Sequence, residues 1–337
     1  MYEILALGTQ YYIYKKLKEA GINKFIQYIF VLWGLTWVIL GFIASYDFVH
    51  PEYDIFSIHT AEILRAFALT WIIITIYGFF SFLVTFALPR RHVFAIILTI
   101  IITIYSMAEA YFVRAKHIEI KTNEITENLR IAFITDVHIG GLYTHWHFDR
   151  VMKIVNDSKP DILMLGGDII DGDMKYREHE LKLLTEAAKK ARYGAFAVNG
   201  NHEHYLILDE DVEGIIRDCG YNLLINERVE AGGITIIGLD DMINGWLKPF
   251  IKPEDKNRFV LILKHRPGLP FDADEKNFDL QLSGHTHGGQ FWPLGYFKNM
   301  TVPKDSRVLV SNGAGFNGAM MRLFTPPDVM IIDIVKE

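Results

Sequence analysis

Cysteine is almost missing from this chain. Cys219 is the single thiol among 337 residues, which excludes an internal disulfide and any zinc site built on thiolates. No basic stripe runs through the sequence and the net charge is −6, so no nucleic-acid partner is expected. Internal repeats and low-complexity tracts are missing too, and with them any sign of a repeat array. The absence with the widest consequence is that of charge itself. Phe25 to Tyr46 and Ala66 to Leu88 hold no charged residue. Val93 to Ala108 is a third such run, prolonged past Glu109 by Ala110-Tyr-Phe-Val113.

A helix needs roughly 18–20 apolar residues to cross a bilayer. Three such runs in succession do not fit the buried helices of a soluble core. The reading is therefore a membrane region, residues 1–114, with helices at about 25–46, 66–88 and 93–113. Residues 4–14, Ile4 to Tyr14, are marginal: short for a span, and without the basic stretch that opens a signal peptide. They are expected at the interface or as a short first span. Lys15, Lys16, Lys18 and Lys24 flank the first strong run, and Arg90 and Arg91 separate the second from the third. The loop Asp47 to Glu62 carries acids and no Lys or Arg. The positive-inside rule puts the basic loops in the cytoplasm, and hence everything after Arg114 on the outer side. Arg114, Lys116 and Lys121 pull mildly the other way.

Residues 115–337 have the composition of an ordinary soluble domain. His117 to Ile120 alternates as an edge strand does. Short apolar runs at Arg130–Thr135, Asp161–Leu165, Ala195–Val198, Ile234–Leu239, Phe259–Leu263 and Asp279–Ser283 read as strands, and Val308–Val310 and Val329–Val335 complete them. Helices are expected at Phe148–Asn156, Tyr176–Ala191 and about Asp211–Asp218. This alternation predicts an α/β domain with two layers of sheet.

The polar residues of interest share one position. Asp136 and His138, Asp168, Asn201 and His202, His265, and His285 and His287 each follow the carboxyl end of an apolar strand. That is the edge where open α/β sheets gather their ligands. Imidazole and carboxylate without thiolate form a ligand set for Mn, Fe or Zn. Asp168 follows two glycines, and its two oxygens suit it to bridging cations about 3.5–4 Å apart. Any one of these histidines, taken singly, reads as a packed or solvated side chain; the set carries the weight.

Asp136-Val-His138, Gly167-Asp-Ile-Ile-Asp171, Gly200-Asn-His-Glu203, Lys264-His265 and Gly284-His-Thr-His287 resemble, in order, the five motifs of the calcineurin-like metallophosphoesterases. More narrowly, the chain resembles the bacterial members with N-terminal membrane segments. The resemblance implies a two-sheet αββα sandwich, preceded here by an all-α transmembrane region, and hydrolysis of phosphoric esters. It implies two divalent metal ions. One would be held by Asp136, His138, Asp168 and His287, the other by Asp168, Asn201, His265 and His285, with Asp168 shared. Water made acidic by the two cations would attack phosphorus in line. His202 would face the leaving group, donating a proton or stabilising charge.

Other residues are expected in lesser parts. Asp171 is read as a buttress for a ligand, Glu203 and His204 as loop or supporting residues, and His145 and His147 as solvated loop residues. Many relatives carry an arginine near Asn312; this chain has none there, and Arg322, read as a surface residue, is the nearest alternative. Trp246-Leu-Lys-Pro-Phe-Ile251 and Ala319-Met-Met-Arg-Leu-Phe324 are apolar enough to dip into a membrane interface or to pack inside. The substrate implied is a phosphodiester, phosphomonoester or pyrophosphate, lipid-linked or nucleotide-linked, met among membrane lipids at the outer face of a bacterial cytoplasmic membrane. Rival readings are a cytoplasm-facing UDP-diacylglucosamine-type pyrophosphatase and a membrane scaffold that holds metal without turnover.

Overall fold

The computed structural model describes residues 2–19, 21–49, 58–140, 145–171, 174, 177–206, 211–241, 246–274, 277–292 and 305–337. The chain forms two compact units. One comprises Met1–Ala110 and Asn317–Leu323, the other Tyr111–Phe316 and Phe324–Glu337.

The first unit is helical, with α1 (Tyr2–Glu19), α2 (Lys24–Val49), α3 (Ile58–Val84) and α4, which starts at Arg91 and ends at Tyr111. Three stretches are long and apolar enough to cross a membrane: Lys24–Ile43, Ile63–Val84 and Arg91–Tyr111. Helix α1 is longer than the marginal segment read from the sequence, and a polar contact holds it. The Gln10 side chain is buried and donates from Nε2 to the Phe30 carbonyl at 3.0 Å. Gly34 makes room for it, since a Cβ there would lie 1.4 Å from Gln10 Nε2. Residues 317–323 join this unit: Met320 N–H donates to Thr70 Oγ1 at 3.2 Å and Arg322 N–H to the Ser106 carbonyl at 2.9 Å. Arg322 is fully buried there, which overturns its reading as a surface residue.

The second unit stacks two sheets. The larger has the order β1 (Arg114–Thr122), β11 (Asp328–Lys336), β2 (Leu129–Ile134), β3 (Ile162–Leu165), β4 (Ala195–Ala197), β5 (Asn222–Leu223). The smaller has the order β10 (Val308–Val310), β9 (Leu280–Ser283), β8 (Val260–Lys264), β7 (Ile234–Leu239), β6 (Glu227–Ala231). Strands β2, β3, β4 and β5 run parallel, as do β7, β8, β9 and β10, so each set gathers its carboxyl ends at one edge.

Period-two alternation explains why central strands are apolar throughout. In β3, Leu163 and Leu165 face a core shared with α5 (His145–Ser158), α6 (Glu178–Ala188) and α8 (Val212–Asp218). Ile162 and Met164 face the other way, into a core between the sheets with Ile236, Leu261 and Leu282. The far side of the smaller sheet buries Ile237, Leu239 and Ile262 beneath Leu247 and Phe278. Among the described residues that outer layer is thin, built on short 3₁₀ turns at Lys248–Phe250 and Pro253–Asn257. Asp211 caps α8 by accepting the Gly214 N–H at 2.9 Å.

Candidate metal centre

The site is assembled from two loops that continue their strands' pairing beyond the sheet. Asp136 N–H donates to the Gly167 carbonyl and His138 N–H to the Asp168 carbonyl, both at 3.0 Å. Ile139 N–H reaches the Ile169 carbonyl at 2.7 Å, and Asp171 N–H returns to the Ile139 carbonyl at 2.7 Å. Asp136, His138, Asp168 and Asp171 are thereby fixed against each other before any side chain acts. The close approach continues to the next loop. A Cβ on Gly200 would sit 2.2 Å from Asp168 Oδ1, and one on Gly167 would sit 2.5 Å from the Gly200 nitrogen. Side chains at either position would drive the loops apart.

Five of the seven expected ligands, Asp136, His138, Asp168, His285 and His287, hold positive φ between 50° and 66°. Each such residue costs on the order of 1–3 kcal/mol, a strain that clusters where function over-determines geometry. Their ligand atoms converge. Asp136, His138 and His287 form one group with atoms within 4.8 Å of one another; His138, Asp168 and His202 form a second; Asp168, His265 and His285 form a third. All but His285 are buried. Asn201 opens α7 (Asn201–Leu206), directly before His202.

Hydrogen bonds on the outer nitrogens aim the imidazoles inward. His265 Nδ1 donates to the Gly166 carbonyl at 2.8 Å, leaving Nε2 3.1 Å from Asp168 Oδ2. That close approach is an ion pair without hydrogen-bond geometry, so His265 Nε2 makes no hydrogen bond. His138 Nδ1 donates to Asp171 Oδ2 at 3.0 Å, so its Nε2 faces His287 Nε2 at 3.1 Å. Asn201 Oδ1 is a buried acceptor with no donor. Buried polar atoms normally find partners. An orphaned amide oxygen, an orphaned imidazole nitrogen and two imidazoles meeting edge to edge make a poor hydrogen-bond network. They make a good donor set for hard or borderline divalent cations.

Residues 129–289 match the family model for calcineurin-like phosphoesterases. Over 258 residues, 70% of this chain and 97% of the other, the sequence is 32% identical to an uncharacterized metallophosphoesterase of Aquifex aeolicus. The chain belongs to the calcineurin-like metallophosphoesterases. That family consists of metal-dependent phosphoric ester hydrolases with two metals per site. Two further relatives are longer than the part they share with this metallophosphoesterase. One from Campylobacter jejuni is 28% identical over 65% of this chain and 62% of its own length. A transmembrane protein with metallophosphoesterase domain from Danio rerio is 26% identical over 71% of this chain and 62% of its own.

Electrostatics in the metallophosphoesterase site are strained in the same sense as its hydrogen bonds. Burial favours the neutral form of Asp168, but His265, His202 and His138 outweigh it and hold the carboxyl well below the usual range. Burial opposes charge on His265 as well, and Asp168 together with Asp136 pushes it up to about 10. Asp136 goes the other way: burial and the neighbouring Asp168 charge raise it. Two buried carboxylates this close compete for compensation, which cations would supply to both.

His202 Nδ1 donates to Asp171 Oδ1 at 2.6 Å, so Asp171 orients two imidazoles, one through each oxygen. Against burial, this pairing raises His202 to about 9. Glu203 takes a part larger than the sequence suggested. It is buried and accepts four backbone N–H groups: Asp168 at 2.8 Å, Ile169 at 2.6 Å, Ile170 at 3.0 Å and Gly200 at 2.7 Å. One carboxylate thus stitches the Asp168 loop to the Asn201 loop. His204 pairs with Asp240 at 2.8 Å. His145 and His147 belong to helix α5, not to a loop. His147 is fully buried, with Nε2 2.7 Å from the Ala314 carbonyl, and His145 Nδ1 lies 2.7 Å from buried Glu180. Leu247 is buried in the outer core while its neighbour Trp246 is exposed.

Proposed function

We propose that this protein is a membrane-anchored phosphoesterase with a dinuclear centre. One metal is assigned to Asp136, His138, Asp168 and His287, the other to Asp168, Asn201, His265 and His285. The observation that carries the reading is the convergence of six of these side chains, Asp136, His138, Asp168, His265, His285 and His287, with the buried Asn201 Oδ1 lacking a donor. Two bound divalent ions (Mn, Fe or Zn) would contribute Lewis-acid charge and a more acidic water. The rest is the work of the chain. Asp171 holds His202 by Nδ1, so its Nε2 proton faces the leaving oxygen and His202 serves as the acid. Glu203 keeps the Asp168 and Asn201 loops at fixed separation, which sets the spacing of the two sites.

The substrate is read as a phosphodiester, phosphomonoester or pyrophosphate, lipid-linked or nucleotide-linked, reached from the outer side of the membrane. The basic stretches Lys15–Lys24, from the end of α1 to the start of α2, and Arg90–Arg91, with the acidic stretch 47–62 from the end of α2 to the start of α3, support that side. The test uses the full chain in detergent with Mn²⁺, offered bis-p-nitrophenyl phosphate and p-nitrophenyl phosphate beside Asp168→Ala. Metal-dependent turnover confined to the parent supports the reading, and the preferred ester narrows the substrate. Two bound metals with no turnover of either ester, or of lipid pyrophosphates, favour a scaffold. A C-terminal reporter active only in the cytoplasm favours the UDP-diacylglucosamine-type pyrophosphatase.

A further inference from the structure

The carboxyl edge of the sheets carries more than the metal centre. Among the described residues of the phosphoesterase unit, every large hydrophobic side chain that is exposed lies in a connection that leaves or enters a strand at this edge. Trp146 follows β2, Tyr205 follows β4, Trp246 follows β7, Phe271 follows β8, and Trp292 follows β9. Phe324 and Phe112 precede β11 and β1. Those strands start together, Arg114 opposite Asp328, beside the end of antiparallel β2. The aromatic rings named are 49–66% exposed.

They are organised rather than scattered. Trp246 and Phe271 meet with ring centroids 5.9 Å apart, and Trp292 and Phe324 at 6.3 Å. The Arg150 guanidinium lies 4.8 Å from the rings of both Phe112 and Trp146. Backbone contacts hold the loops in place: Asp272 accepts the N–H groups of Leu247 at 2.6 Å and Lys248 at 2.9 Å. Thr325 Oγ1 donates to the Gln290 carbonyl at 2.8 Å. Rigid exposed rings beside cations suit the headgroup level of a bilayer, where an apolar body and a polar surround are both satisfied.

The chain itself names the occupant. It carries three helices long and apolar enough to cross a membrane, and the polypeptide passes between the two units after Ala110, Phe316 and Leu323. All three crossings leave the phosphoesterase unit at this edge. Tyr111 shortly precedes β1, and Ala314 and Gly315 donate to the Thr135 and Asp136 carbonyls beside the site. Phe324 adjoins Thr325, which is bonded to the Gln290 loop. We propose that the carboxyl edge is a lipid-docking face that seats at the headgroup level of a bilayer. It presents the metal centre to phosphoesters whose anchors remain in the membrane. This deepens the phosphoesterase reading above and rests on it.

The test reconstitutes the full chain in phosphatidylethanolamine–phosphatidylglycerol vesicles. A bimane label goes on Phe271→Cys or Trp292→Cys, or on Lys153→Cys at the far end of α5 as reference; Cys219 is buried and stays unlabelled. Acyl-brominated lipid should quench the labels at 271 and 292 several-fold more than the label at 153. Equal quenching overturns the proposal, as does shielding of 271 and 292 from both brominated lipid and aqueous iodide, which would mean that a protein covers the edge. The second arm is the variant with Trp246, Phe271, Trp292 and Phe324 all changed to Ser. Its turnover of a vesicle-borne phosphodiester should fall about tenfold or more. Turnover of bis-p-nitrophenyl phosphate should stay within about twofold. Parallel loss on both esters overturns the proposal. If the parent hydrolyses neither ester, the phosphoesterase reading fails, while the quenching still decides the docking face.

Discussion

At the amino ends of the strands, charge meets charge. Arg130 pairs with Asp333 at 2.6 Å, Arg192 with Glu127 at 3.4 Å, and Arg228 with Glu230 at 2.7 Å. At the carboxyl ends Asp136, His138, Asp168, His265 and His287 are buried, and large aromatic rings face outward. The amino edge is locally satisfied: the exposed pairs Arg130–Asp333 and Arg192–Glu127 contribute little each, and the largely buried Arg228 is matched by Glu230 and Asp255. The carboxyl edge holds left-handed backbone at five of the proposed ligands, the unmatched Asn201 Oδ1 and mutually perturbed carboxylates. One sheet system thus keeps its comfortable chemistry at one end and its costly chemistry at the other, and only the costly end has a use that would retain it.

Substitutions can break that contrast, most severely at its centre. If Asp168 is shared by two metals as proposed, Asp168→Ala should lower metal-dependent ester hydrolysis on the order of 10³-fold or more, since several kcal/mol of charge stabilisation would go with it. A steady-state assay with Mn²⁺ checks this, and near-parental turnover would remove Asp168 from the centre. Glu203→Ala leaves four buried N–H groups without an acceptor and should destabilise the unit by about 3–5 kcal/mol, by analogy with breaking a buried charged network. Thermal unfolding followed by circular dichroism reads it, and Glu203→Gln should recover part of the loss. Asp171→Asn should weaken Mn²⁺ affinity or turnover about 10–100-fold, the usual effect of removing a partner that orients ligands. Calorimetric titration with Mn²⁺ separates the two.

The smallest effect belongs to the amino edge. Burial would raise Asp255, but the Lys252 N–H, Arg228 and the Thr235 hydroxyl outweigh it and hold its carboxyl below the ordinary range. A folded value below the unfolded one means stability present above about pH 3.9 and lost as pH falls through the folded value. Asp255→Asn should cost about 1 kcal/mol at pH 7 and flatten the acid limb of unfolding midpoints between pH 5 and 3. An unchanged limb would assign that limb to other carboxylates.

The candidate site was legible in the sequence for a simple reason: the proposed ligands, singly or in pairs, each follow an apolar run, so strand ends and candidate ligands are read together. What lay across loops was less visible. Asp171 serving two imidazoles, and Glu203 gathering N–H groups from two loops, depend on which loops become neighbours, and spacing along the chain does not encode that. Strand β6 escaped notice because Glu227, Arg228 and Glu230 break its apolar pattern; it forms because the Gly232-Gly233 turn, both at positive φ, folds it onto β7. For His147 a signal did exist. Residues 147, 148, 151, 152 and 155 keep helical spacing and are all buried, so extending the α5 period one turn back reaches it. Arg322 offered none: nothing in Met-Met-Arg-Leu foretells a fully buried guanidinium.

Strand β11 lies between β1 and β2 in the larger sheet, although those two strands are close in sequence and β11 comes some two hundred residues later. During synthesis, then, the helices emerge first and can enter a bilayer while the catalytic sheet is still open along its middle. Closure waits until residues 328–336 have left the ribosome, and until then two apolar strand flanks stand unpaired. Chaperone demand should therefore peak late in translation, after the membrane helices have been delivered.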